Sequence, residues 1–113
     1  MTPDDFEALV EEVYDTLPRD MVDDLDNVAI IVEDRPEDGS LDLLGLYHGV
    51  ALTERDQYGF GELPDTISLY REPLLRHADD EGALRSEVRV TLVHEIGHYF
   101  GLDDEDLHRL GWG

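Results

Sequence analysis

The chain contains no cysteine and no lysine; its eight basic residues are all arginines, set against 29 acidic ones for a formal charge of -21 over 113 residues. Without thiols there are neither disulfides nor thiolate ligands, so any metal must be held by imidazole or carboxylate. No apolar run approaches the roughly 18 residues needed to span a bilayer. Val28–Val32 is far too short, and no membrane role is expected. A field this negative repels phosphate backbones, which sets nucleic acid aside as a partner. The opening residues, Met-Thr-Pro-Asp-Asp-Phe-Glu, lack the basic start and apolar stretch of a secretory signal, so a cytoplasmic location is expected. The charge reads first as a solvated acidic surface that favours solubility; attraction of cationic substrates or metal ions is its functional alternative.

What is present suits one compact domain over residues 1–113. With 41% hydrophobic residues the chain can enclose a modest core without a covalent staple, and a monomer is expected. Phe6, Leu9, Val10, Val13 and Leu17 recur at the spacing of one helix face across Thr2–Leu17, with Thr2 as N-cap, Pro3 at the first helical position and Pro18 as the stop. Asn27–Val32 is continuously apolar and β-branched, the pattern of a strand covered on both faces near a sheet centre. Leu43–Val50 reads as a second strand interrupted by Gly45 and Gly49, and Thr53–Pro64 as an exposed loop. Thr66–Tyr70 alternates as a half-buried strand does, and Pro73 ends or redirects it. A long helix is expected over Ala83–Phe100, closed by Gly101, and a short one over Asp104–Leu110, with Asp103 as N-cap and Gly111 closing it.

Inside that long helix lies His94-Glu95-Ile96-Gly97-His98. At 3.6 residues per turn the two histidines fall about 40° apart on one face, one turn above the other, so both imidazoles can reach one ion. Glu95 projects beside them, near enough to act on water without being a ligand. Catalytic zinc needs a third protein ligand and an open position. Asp104 supplies a carboxylate once Gly101 lets the chain turn back, completing H-E-x-x-H-x-x-G-x-x-D with His94, Glu95, His98, Gly101 and Asp104. Against this stands the reading of His94 and His98 as core histidines, with Gly101 a plain helix stop. Gly97 weighs against it, because glycine inside a helix costs up to about 1 kcal/mol relative to alanine and marks close backbone approach. Nine residues follow Asp104, too few for a second helix offering a distant glutamate ligand, and the only methionines, Met1 and Met21, exclude a methionine turn below the metal.

The segments Leu44-Gly45-Leu46-Tyr47, Ile67-Ser68-Leu69-Tyr70-Arg71, Val90-Thr91-Leu92-Val93-His94-Glu95 and Leu107-His108-Arg109-Leu110-Gly111-Trp112 together resemble the small bacterial zincin-like metallopeptidases. The resemblance implies an α+β minimal zincin-like fold: a small mixed β-sheet packed against an N-terminal helix and a long active-site helix, with a short C-terminal helix. It also implies zinc held by His94, His98 and Asp104, with Glu95 as the catalytic carboxylate of a metalloendopeptidase-like enzyme.

The expected reaction is hydrolysis of a peptide or protein substrate by metal-activated water, with Glu95 as general base. The alternative is a non-catalytic zinc-binding module that holds peptides or regulates a partner. An extended substrate could add to a sheet edge, for which Thr66–Tyr70 is the candidate. Asp103, Glu105 or His108 could replace or supplement Asp104. Tyr47, Tyr70 and Tyr99 are possible oxyanion donors that read better as packing. Arg71 suits a substrate carboxylate or a surface ion pair equally, and His48 and His77 read as isolated polar residues.

Overall fold

The computed structural model describes residues 1–49 and 65–111 of the chain. It is an α+β fold with helices α1 (Pro3–Asp15) and α2 (Arg19–Val22), strands β1 (Val28–Glu33), β2 (Gly45–His48) and β3 (Asp65–Tyr70), then helices α3 (Arg71–His77), α4 (Glu81–Phe100) and α5 (Asp104–Leu110).

Helix α1 forms as its pattern predicts. Thr2 Oγ1 accepts from the Asp5 amide, satisfying an otherwise unpaired first-turn donor, and Phe6, Leu9, Val10 and Val13 are buried. The sheet is mixed, in the order β1-β3-β2: β1 runs parallel to β3 and β2 antiparallel to it. This reverses two expectations. Among the described residues the apolar run Val28–Val32 is an edge strand, with side chains half-buried and Ile31 exposed, whereas Thr66–Tyr70 occupies the centre. Ile67 and Leu69 are wholly enclosed on the helix side, and Ser68 and Tyr70 are nearly so on the other, so β3 is not half-buried. Leu43–Val50 contributes strand only at Gly45–His48, while Val50 and the expected loop Thr53–Pro64 lie outside the described residues.

Pro73 does not end an element; it sits in the first turn of α3, where its missing amide costs nothing, and is buried with Leu74. Helix α4 starts two residues earlier than expected. The Asp80 carboxylate caps it by accepting from the Ala83 amide. Leu84, Val88, Leu92 and Ile96 join Phe6, Ile67, Leu69 and Leu74 in one core, so α4 is the scaffold's spine as well as the carrier of the histidines. No described helix is long and apolar enough to cross a membrane.

Candidate metal centre and active site

Two glycines place α4 where its chemistry can work. At Gly45 on β2, a Cβ would lie 2.6 Å from Thr91 Cγ2 and 3.1 Å from the Ser68 carbonyl, so only glycine lets α4 approach the strand this closely. At Gly97 a Cβ would meet Leu107 Cδ1 at 2.9 Å, so the same helix receives α5 on another flank, as the mid-helix glycine suggested. Gly101 adopts the left-handed conformation at φ 76°, and the Leu102 amide returns to the Gly97 carbonyl at 2.8 Å, which turns the chain toward α5. Asp103 is the N-cap of α5 within a reciprocal capping box with Asp106. That task occupies Asp103, as expected from its position.

His94 and His98 are exposed, one turn apart, with their Nε2 atoms 3.2 Å from each other. Glu95 is buried on the sheet side, and one atom from each of His94, Glu95 and His98 lies within 4.8 Å of the others. The donor set fits a zinc ion. Two nitrogens bound at about 2.05 Å and spanning a tetrahedral angle stand about 3.3 Å apart, close to the separation of these two rings. Burial holds the Glu95 carboxyl above the usual carboxylate range, opposed by the nearby His94 and His98 and by the hydrogen bond its carboxylate accepts from the Tyr47 backbone amide. A buried carboxylate with a raised proton affinity beside two metal-type nitrogens is suited to taking a proton from water.

Asp104 stands apart from this convergence. Its side chain is 83% exposed, and Oδ1 lies 3.1 Å from His94 Nδ1, the ring nitrogen that does not face His98. This is an ion-pair distance, and a carboxylate so placed favours a proton on Nδ1, which leaves Nε2 for a metal.

The family comparison agrees with the geometry. The profile of the zincin-like metallopeptidases matches residues 25–112. The chain belongs to this family. A solved structure similar in shape, a conserved hypothetical protein from T. thermophilus, is 28% identical, with a TM-score of 0.62 over 88% of this chain and 94% of that one. No curated protein matches. Within this zincin-like chain the other candidates fall away from the centre or into packing. The Tyr47 hydroxyl is held 2.6 Å from Asp65 Oδ2, the Tyr99 hydroxyl meets the Asp26 backbone, and Tyr70 is buried. Arg71 pairs with Asp34 at 2.9 Å, and His48 and His77 are exposed and outside the convergent group of His94, Glu95 and His98. The one contributor that sequence reasoning missed is the Tyr47 amide, a backbone group with no side-chain signature.

Proposed function

We propose that the protein is a zinc-dependent peptidase in which His94, His98 and Asp104 would hold the ion and Glu95 is the general base. The observation that carries this reading is the pair of Nε2 atoms 3.2 Å apart beside a buried carboxylate of raised proton affinity. Zinc bound there supplies Lewis acidity toward water and a peptide carbonyl. Glu95, steadied by the Tyr47 amide, accepts a proton from the attacking water and returns it to the departing amine. Asp104 belongs to the holding set because its exposed carboxylate has a single contact among the described residues, to His94, and is otherwise free to turn toward an ion. Thr66–Tyr70 does not serve as a peptide-binding edge, because β3 is already paired with β1 on one side and β2 on the other.

A second reading has its own support. His94, Glu95 and His98 are the residues that converge, while Asp104 touches the far nitrogen of His94. Glu95 is then a ligand, Asp104 a positioning residue, and the protein a non-catalytic zinc-dependent peptide-binding or regulatory module. Metal analysis of the wild type and His98→Ala, combined with peptide-library cleavage with and without chelator, tests both. The peptidase reading expects one zinc per chain, its loss in His98→Ala, and cleavage that a chelator abolishes. Stoichiometric zinc with no cleavage of any library member supports the binding module instead.

A further inference from the structure

Beside His94, on the flank of α4 turned away from the sheet, a groove of about 460 Å³ runs between α4 and α5. Its floor is apolar: Val93 and Leu107 line it from opposite helices, each only 4% exposed. Val90, which lies one turn before His94, is 64% exposed along it, an apolar side chain held at the surface next to the histidine pair. Arg89 and His108 line its walls, and the Asp104 carboxylate closes it at the His94 end, away from Arg89.

Among the described arginines Arg19, Arg76 and Arg89 have no carboxylate partner, and of these Arg89 is the one that lines the groove. Arg35, Arg71, Arg85 and Arg109 each hold a carboxylate. Arg89 has no ion-pair partner among the described residues, although the chain carries 29 acidic side chains. Its neighbours one turn away are Arg85, Ser86, Leu92 and Val93, so the helix offers it no carboxylate. An unpaired guanidinium at an apolar groove presents a planar fork to an incoming carboxylate. Arg89 precedes His94 by five residues, about 7.5 Å along the helix axis, which an extended peptide covers in about two residues.

We propose that this groove is a substrate subsite taking an apolar side chain on Val90, Val93 and Leu107 and a carboxylate on Arg89, a local preference for an acidic residue at this position set against the chain's overall charge of -21. The carboxylate belongs to an aspartate, a glutamate or a chain end one or two residues from the apolar side chain. The assignment rests on the peptidase reading for its meaning as a substrate site; binding in the groove is measurable without turnover.

The test uses zinc-loaded Glu95→Gln protein and dye-labelled peptides read by fluorescence anisotropy: Gly-Gly-Leu-Asp with a free C-terminus, its fully amidated Gly-Gly-Leu-Asn counterpart, and amidated Gly-Gly-Leu-Arg. The acidic peptide should bind about two- to fivefold more tightly than the amide, the order of effect of one exposed charge-assisted contact. Arg89→Gln should erase that difference, and Arg89→Glu should turn preference toward the arginine peptide. Equal binding of acidic and amidated peptides, or a preference that survives Arg89→Gln, overturns the assignment. Wild-type protein that cleaves nothing while this Arg89-dependent preference persists removes the peptidase reading and leaves the acidic subsite standing.

Discussion

The two flanks of α4 carry different carboxylates in different environments. Toward the sheet, Glu95 is buried, tied to the Tyr47 amide and raised in proton affinity, on a side where Gly45 allows near backbone contact. Toward α5, Asp104 stands in water against His94 Nδ1, on a helix seated through Leu107 over Gly97. Burial suits a carboxylate that must trade protons; exposure suits one that must stay charged to face a cation. On the proposed peptidase reading, the difference between the flanks separates a base from a holder, although the two side chains carry the same functional group.

Four changes can break or sharpen that contrast. The change aimed most directly at the metal is Asp104→Ala, which should weaken zinc affinity about 10- to 100-fold if it does no more than orient His94, and further if it is a ligand. Competitive titration with a zinc-responsive dye measures it; unchanged affinity would remove Asp104 from the centre. Next, Leu107→Ala deletes the side chain that seats α5 and should cost about 2–5 kcal/mol by denaturant unfolding, as for other buried leucines. A cost near zero would mean that α5 is held by something other than this contact. Gly45→Ala should cost about 1–3 kcal/mol in the same unfolding assay, because the added carbon meets stiff Thr91 and the Ser68 backbone and no flexible chain end.

The smallest effect is a pH signature in metal-free protein. The Glu95 pKa is raised in the folded state, so folding favours its protonated form. Its contribution is fully present below the unfolded value of about 4.3 and is lost as pH rises through the folded value. Glu95→Gln should therefore melt higher than wild type at neutral pH, with the gap closing as pH falls toward that of an ordinary glutamate. A gap that widened on acidification would contradict burial as the dominant influence on Glu95.

The same contrast explains what was legible in the sequence. The α5 side is written in local chemistry: helix period, the Asp103 cap, the turns at Gly101 and Gly111, and histidines four residues apart. Each acts within a few residues, so each can be read directly. The sheet side depends on partners distant in the chain. Val28–Val32 looks like a central strand because both faces are apolar, yet among the described residues it lies at an edge, while the alternating Thr66–Tyr70 is central and parallel to it. Strand order is not encoded in a strand's own pattern, and neither is a backbone donor such as the Tyr47 amide. Helix α3 escaped for a different reason, since Pro73 can stop a helix or sit in its first turn, and only tertiary burial of Pro73 and Leu74 decides between them. Asp104 is legible as an acid spaced to lie near the histidines, but its contact with His94 Nδ1 depends on how α5 seats.

The most direct test of the account is zinc titration of Glu95→Gln alongside a peptide-cleavage assay on the same preparation. A base beside the ion predicts one zinc per chain at close to wild-type affinity, with cleavage reduced by at least about 100- to 10,000-fold. Loss of the zinc, or cleavage that continues at the wild-type rate, would contradict the division of labour between Glu95 and Asp104.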